Sequence, residues 1–586
     1  MSHAGLASLL PLPVVAPLLG AVAAPLAARL SGRLAVVVGA AALATSTMVL
    51  ARLAPDVYRG EQLTHFMGHW TPVGGAALGV AFSADAWGLT YALAASAVGA
   101  VLLVYTLSEQ GDLGRRELGG LASLFLLLDA ALIGVALTAD VINLFVWFEV
   151  AALASYALTA FFLERPRALE AAFKILVLTT LAGFAVFLGA ALLYANHGAT
   201  NFGQLHLALA AGGVRAPDTV ALGLLVAGLA TKAGLVPFHG WLPDAHTAAP
   251  GPVSALFSAL MVGLGVVATA RLTFQVFTPE AAGPILGVLM VVGVGSAVAG
   301  GLFALFQDDL KRLLAYDTVS QMGVLVVGLA TGEASGLAGT AYHLVNHALF
   351  KALLFLCAGA IVHQTGATGL SEMGSLARRV PWLAAAFVVG VVAIAGVPPF
   401  DGYASVGLIH DALEHGGQGG PLVLMLVAQT LTIAALGKAA WMAFFRRRDG
   451  DYDQCERLRP GMLASLVLLG IACLASGVFP GFLLDHMAGP AAGALLAAPG
   501  YAAGALGSGA ALPPARVTFE YLRPAELALV AATVAAAVPL ARWAAGVDRD
   551  GRVPAVLRAV QSGSVNDYAA YLVAGLVATV AALAWR

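Results

Sequence analysis

The chain has 586 residues, 60% of them hydrophobic and only 11% charged, with 68 glycines and a net charge of −2. An ordinary soluble domain is about a quarter charged, so this composition excludes a soluble enzyme, a nucleic-acid binder and a disordered chain. Three cysteines, Cys357, Cys455 and Cys473, lie far apart and form neither a metal motif nor a disulfide framework. What remains is a polytopic membrane protein in a lipid bilayer.

Apolar stretches of about 20 residues, enough for a helix to cross a bilayer core, recur along the whole chain. Sixteen are expected, near 6–29, 33–52, 88–107, 121–138, 141–163, 172–195, 218–239, 252–276, 282–305, 314–331, 338–363, 382–402, 421–446, 462–485, 524–545 and 565–585. The first has no basic residue before it and reads as a retained helix, not a cleaved signal. The polar segment 53–87 reads as a small hairpin on the outer surface.

Arginine sets the orientation. Loops after odd-numbered spans hold Arg29 and Arg33, Arg115 and Arg116, Arg165 and Arg167, Lys311 and Arg312, Arg378 and Arg379, and Arg446 to Arg448. Loops on the other side hold few. The excess marks the cytoplasmic face, so both ends are expected outside the cytoplasm.

Lysine is rare: Lys174, Lys232, Lys311, Lys351 and Lys438, against 25 arginines. All but Lys311 fall in or at the ends of apolar spans, where a charge costs about 2.5–3.5 kcal/mol on insertion scales. An ammonium in a dry site can release its proton and a guanidinium cannot, so these lysines fit proton transfer. The alternative is snorkelling to an interface, which suits Lys174 near its span's start better than Lys232 or Lys438. His343, His347 and Lys351 follow at i, i+4 and i+8, one stripe of a helix able to pass protons. Glu149 lies well inside a span, with Lys174 and Lys232 as candidate partners. Asp140 reads as a helix cap. Asp129 is a second buried acid, for which a structural role serves equally well.

Residues 233–241 read AGLVPFHGW and residues 395–403 read AGVPPFDGY. Proline and glycine at a span's end break the helix and free backbone groups, which is tolerated where they line a cavity. The first copy ends an odd-numbered span and the second an even one, so the two run in opposite directions, as in inverted-repeat transporters. The connector after the first copy carries His239, Asp244 and His246. It reads as a rigid cytoplasmic segment whose polar groups meet water and serve as a proton inlet. It has no zinc spacing. With no phosphate loop, nucleotide fingerprint or nucleophile elbow in the sequence, no catalytic residue, cofactor or metal is expected in this chain.

The runs KAGLVPFHGWLPDAHTAAPGPVSAL (232–256), QDDLKRLLAYDTVSQMG (307–323), HLVNHALFKALLFLCAGAI (343–361) and AGVPPFDGYAS (395–405) resemble the proton-conducting antiporter-like subunits. Those occur in complex I, in membrane-bound hydrogenases and formate hydrogenlyases, and in multi-subunit Na+/H+ antiporters. The tail QSGSVNDYAAYLVAGL (561–576) is similar to the ending of the larger members. The resemblance implies an all-α fold of about 14–16 transmembrane helices with two inverted five-helix repeats. The expected division is 1–120 N-terminal helices, 121–276 first repeat, 282–485 second repeat and 486–586 linker and C-terminal helices. It also implies that Glu149 modulates Lys232 through an opening and closing ion pair, that Lys174 sits between them, and that His343, His347 and Lys351 join two half-channels.

The sequence departs from that family twice. Gly263 and Val406 stand where the family usually has lysine, and lysine or glutamate. Water is expected to fill the gap at Gly263, and His410, with Asp411 beside it, or Lys438 to replace the terminal donor. The implied function is a proton-translocating subunit of a larger plasma-membrane complex, working with other membrane subunits of a respiratory, hydrogenase or antiporter assembly and moving protons or Na+. A proton-coupled subunit of an inorganic-carbon uptake system and a non-conducting scaffold are the alternatives. Whether the chain is a translocase subunit of an NADH-quinone oxidoreductase-like or hydrogenase enzyme stays open.

Overall fold

A computed structural model describes residues 3–109, 113–278, 283–447, 458–509, 511–549 and 563–584. Cys455 and the start of the tail run, 561–562, lie outside the described residues. Among those described, fifteen helices are long and apolar enough to cross a membrane, and a sixteenth crossing is made by two shorter helices in series. In chain order these are α1 (His3–Ala28), α2 (Gly32–Val57), α3 (Ala86–Ser108), α4 (Arg115–Leu137), α5 (Val141–Thr159), α6 (Pro166–His197), α7 (Ala216–Ala248) and α8 (Gly251–Val276). They continue as α9 (Gly283–Leu305), α10 (Leu310–Ala330), α11 (Ala334–Thr365), α12 (Pro381–Ile394 then Gly402–His415), α13 (Gly419–Phe445), α14 (Pro460–Val478), α15 (Pro524–Gly546) and α16 (Val565–Leu583). Fifteen of the sixteen predicted spans each correspond to one of these, and the twelfth, 382–402, covers only the first part of α12. Helices dominate because lipid offers backbone amides no partner, so each segment must satisfy its own.

The predicted hairpin between α2 and α3 forms. Its strands β1 (Leu63–Phe66) and β2 (Ala81–Ala84) pair antiparallel, with Leu63 opposite Ala84. Loop contacts sort onto two sides as the arginines predict. On one side Asp244 meets Lys174 and Arg312, Asp309 bridges to Gly369, and Arg446 donates to the carbonyls of Leu370 and Ser371. On the other, Phe82 bridges to Thr138, Asp140 to Asn201 and Glu61 to Ala511.

Burial is graded across the bundle. The hydropathic windows of α8 and α10 are wholly enclosed by protein, whereas those of α15 and α16 are mostly open to lipid. The central helix α11 has 32 residues, roughly 48 Å of length at 1.5 Å per residue. It packs against α3, α8, α10, both parts of α12, and α14. Small residues permit these close approaches, as is usual between membrane helices.

Both sequence copies break their helices. In α7 the first part, Ala216–Ala233, stops at Gly234, and Leu242–Ala248 resumes after one short turn. In α12 the first part stops at Ile394, and Gly402–His415 follows. Gly234 (φ 70°) and Gly396 (φ 67°) occupy the left-handed region that closes a helix cheaply only for glycine. Each copy also has a cis X-Pro bond, at Val236–Pro237 and at Pro398–Pro399. Freed backbone groups find side chains: the Val236 amide donates to Ser296 Oγ (2.9 Å), and Asn346 Nδ2 donates to the Asp401 carbonyl (2.8 Å).

The outer ends of α3 and α8 are locked by a wholly buried ion pair that sequence reading does not single out. Arg271 Nη2 lies 2.9 Å from Asp85 Oδ1 and Nη1 3.2 Å from Oδ2, while Gln275 Nε2 donates to the same carboxylate at 2.6 Å. Removing one partner of such a pair strands the other charge, at about 3–5 kcal/mol. Arg271→Met should therefore lower the melting temperature of the detergent-solubilised protein sharply. Adding Asp85→Leu should recover much of that loss, as thermal shift measurement would show.

Candidate functional site

The first half of the site is built on α5, α6 and α7. Asp140 caps α5 as expected, its Oδ1 accepting from the Asn143 amide at 2.7 Å. Glu149 is half-buried two turns on. Its carboxylate rests directly on the Gly183 backbone of α6, leaving no room there for even a Cβ. Lys232, on the last turn of the first part of α7, is fully buried. Its Nζ lies 3.5 Å from Ser155 Oγ and 5.6 Å above the Phe148 ring. Among the described residues no carboxylate pairs with it. Glu149 makes no direct contact with it, unlike the pairing that the resemblance implies.

Lys174 is held elsewhere than the sequence suggests. Its Nζ lies 2.8 Å from Asp244 Oδ2 and 2.6 Å from Glu170 Oε1, one turn before it on α6. Asp244 also faces Arg312 Nη1 at 3.4 Å. One carboxylate on the second part of α7 thus joins α6 to the start of α10.

The connector divides: Asp244 is partly exposed and residues 247–252 line an open cavity, but its two histidines do not reach the surface. His239 and His246 are buried, and Trp241 between them is fully enclosed. His239 stacks on Phe303 with ring centres 5.9 Å apart. His246 donates through Nδ1 to the Leu242 carbonyl (2.8 Å) and packs against Phe355 of α11 (5.3 Å). Two helix breaks a few residues apart fold this segment inward rather than across the surface.

The second half lies along α10, α11 and α12. His343, His347 and Lys351 share one helix at the predicted spacing, all fully buried. His343 is hydrogen-bonded through Nδ1 to Ser405 Oγ (3.0 Å) and through Nε2 to Gln321 Oε1 (2.9 Å). Both nitrogens of His347 lack a protein partner. Lys351 forms a buried ion pair with Asp317 of α10 and donates to the Leu314 carbonyl at 3.1 Å. Asp317 in turn accepts from Thr432 Oγ1 of α13 at 3.1 Å. Asp317 was not singled out from sequence, although an acid inside the span 314–331 is the same kind of signal that marked Glu149.

The departures also resolve. The space at Gly263 is filled by protein rather than water: a Cβ there would sit 2.9 Å from the Tyr91 ring and 3.3 Å from Leu344. Tyr91 is anchored through its hydroxyl to the Leu260 carbonyl at 2.6 Å, beside a wide turn of helix over Phe257–Met261. Such turns are frequent at functional sites. Asp129 rests on Gly99, with neither oxygen hydrogen-bonded to protein, and takes no part in these groups. Lys438 donates to the carbonyls of Leu305 (2.7 Å) and Gln307 (2.8 Å) at the C-terminus of α9, a place that suits a cation. It stands six residues beyond Thr432 on α13, about 9 Å along the helix.

Comparison with known proteins gives the family and the fold. Residues 138–436 match the family model "NADH:quinone oxidoreductase/Mrp antiporter, TM". The chain is 34% identical over 482 residues to NADH-quinone oxidoreductase subunit N of Desulforudis audaxviator, covering 80% of this chain and 95% of that one. It is 31% identical to the putative antiporter subunit mnhD2 of Staphylococcus aureus, covering 73% and 84%. Two solved structures align with a TM-score of 0.76. They are the Mrp complex of a Dietzia species (25% identity, 86% of this chain, all of that one) and the membrane-bound sulfane sulfur reductase, an archaeal respiratory membrane complex (27%, 84% and 99%). Fold and site define a multi-pass plasma-membrane protein of the antiporter-like class. The chain belongs to the NADH:quinone oxidoreductase/Mrp antiporter transmembrane family.

The packing at Gly263 is testable. Gly263→Lys, which installs the residue usual in the resembling family, should overpack the Tyr91 site and cost about 1–3 kcal/mol. Adding Tyr91→Ala should relieve it. Size-exclusion recovery after a heat step distinguishes the two variants.

Proposed function

We propose that the chain moves protons, as an antiporter-like subunit of a multi-subunit membrane complex, through two half-paths centred on Lys232 and on Lys351. The carrying observation is the buried run of groups on α10 and α11, where Lys351 pairs with Asp317 two turns from His343. An ion pair of this kind stores the charge state of a lysine, and opening it lets the ammonium give up its proton. The first half supports the same reading, because Lys232 stands apart from Glu149 while Lys174 is clamped by Asp244. A shift of Glu149 toward Lys232 would hold the ammonium charged, and its withdrawal favours release. His246 packs on Phe257 and on Phe355 of α11, and His347 lies one turn before Lys351 on that helix.

The partners are other membrane subunits, as the relatives' own names describe for themselves. Protons are the transported ion in this reading, with Na+ exchange by the whole assembly as its variant. Gentle extraction followed by mass spectrometry separates the energy sources. Iron–sulfur or nickel-hydrogenase-type partners mean a redox-driven pump, sister membrane subunits alone mean cation exchange, and a soluble zinc protein means inorganic-carbon uptake.

In liposomes containing the purified complex, Lys232→Ala and Lys351→Ala should each abolish dye-reported proton movement, and Glu149→Gln should reduce it at least about tenfold. Assembly, followed on native gels, should be unchanged for the Lys232 and Glu149 variants, and Lys351→Ala is read beside Lys351→Ala with Asp317→Asn, which removes the stranded carboxylate. Full transport by both lysine variants would mean a scaffold.

A further inference from the structure

The second half-path ends, in the resembling family, on a residue that this chain replaces with Val406. The structure offers a different ending. His410 lies one helical turn beyond Val406 on the second part of α12, and its Nδ1 is 3.2 Å from Glu526 Oε1. Glu526 belongs to the first turn of α15, a helix outside the two repeats. Both side chains are about nineteen-twentieths buried, at 5% and 6% exposure. Arg523, just before α15 and a third exposed, reaches Asp411 Oδ1 at 2.9 Å, Glu414 Oε2 at 3.6 Å and Glu526 Oε2 at 3.8 Å. The cluster therefore runs from a buried imidazole to a solvent-facing guanidinium within one turn of α12 and one of α15.

Its inner side opens on the ion-pair network. A small cleft is lined by Ser320, Gln321, Val406, His410, Gln429 and Thr432. Gln321 is the partner of His343 Nε2, and Thr432 is the partner of Asp317, which holds Lys351. His410 faces this cleft with Nε2 unpartnered, although that atom is buried. Buried polar atoms are rarely left unsatisfied, and although Val324, Ile394, Met425 and Ala428 also line the cleft, Ser320, Gln321, Gln429 and Thr432 give an exchangeable proton or an ordered water polar neighbours there. By the arginine rule the C-terminus of α12 and the N-terminus of α15 both lie on the extracytoplasmic side.

We infer that His410 and Glu526, with Arg523 at the surface, form the extracytoplasmic end of the second half-path, so that α15 supplies half of the terminal proton site. This rests on the proton-moving reading above. The imidazole takes a proton at Nε2 from the cleft and gives the one on Nδ1 to the Glu526 carboxylate. The carboxylic acid then releases it to water on the side where Arg523 is exposed. No electrons move, and one proton enters and one leaves. Other titratable or charged groups facing the pair are Asp411, Glu414 and His415 on α12, Tyr403 on the same helix, and Tyr521 on the strand of chain leading to α15, whose ring lies 5.5 Å from that of Tyr403.

The test uses the whole complex in liposomes, with proton movement read by a pH-sensitive dye. Glu526→Gln and His410→Gln should each lower the rate about tenfold or more, with assembly on native gels unchanged. Adding Val406→Lys to His410→Gln should restore at least a third of the rate, because a lysine at 406 faces the same cleft. A mere clasp between α12 and α15 would not be rescued that way. If Glu526→Gln fails to assemble, His410→Gln with and without Val406→Lys carries the test alone. Wild-type rates in both single variants, while Lys351→Ala stops transport, would overturn the inference and leave the function standing. Wild-type rates in Lys351→Ala as well would overturn the function itself.

Discussion

The Lys351–Asp317 ion pair sits where α10 and α11 are most enclosed by protein, and the arrangement around it follows from what burying two charges there demands. Dehydrating an ammonium and a carboxylate is offset only by good mutual geometry and by further hydrogen bonds to the remaining polar atoms. The Leu314 carbonyl completes the lysine and Thr432 completes the carboxylate, so α13 is drawn to α10 and α11. The windows of α8 and α10 are wholly enclosed, and those of α15 and α16 are the most open.

The same requirement explains why the two broken helices are alike in backbone and unlike in surroundings. Each break exposes carbonyls and amides that lipid cannot satisfy. The first is completed by Ser296 of α9 and the second by Asn346 of α11. Beyond the breaks the symmetry lapses. The first copy continues into a His–Trp–Asp connector whose Asp244 ties two cations together, whereas the second continues into a helix that carries His410. Two similar backbones therefore present different chemistry, an ion-pair clamp on the cytoplasmic side and an imidazole–carboxylate pair on the opposite one.

Much of this was legible in the sequence, for a physical reason. A bilayer imposes a length, a hydropathy and a charge asymmetry on each crossing, so span count and orientation are written locally. The stripe of His343, His347 and Lys351 was equally visible because helical spacing is local. Partners distant in sequence were not. Nothing near Lys174 marks Asp244, 70 residues away, as its partner, and Glu170 at i−4 is the sole local hint. Arg271 and Asp85 are 186 residues apart, and His410 and Glu526 are 116 apart. Their pairing depends on tertiary packing that no spacing rule encodes. The inward fold of the connector was missed for a related reason: a Pro-rich polar run reads as surface loop, but flanking helices on both sides hold it inside.

The two C-terminal helices show how an apparently peripheral addition becomes part of the site. The helix α16 packs on the first part of α7, and its Gly575 abuts Pro237 and Phe238 at the break. The helix α15 packs on α13 and delivers Arg523 and Glu526 to α12. Each repeat therefore receives one helix from the tail, placed against its broken segment or its terminal imidazole. Helices held only by lipid contact would be free to tilt or drift, since apolar surface gains little by choosing protein over lipid. Tight backbone approach secures α16 and charge pairing secures α15. The charge pairing is the more demanding of the two, because Glu526 is buried and must keep its partner. It is at that end of the molecule, where the family's usual residue is absent, that the tail contributes an ionisable group of its own.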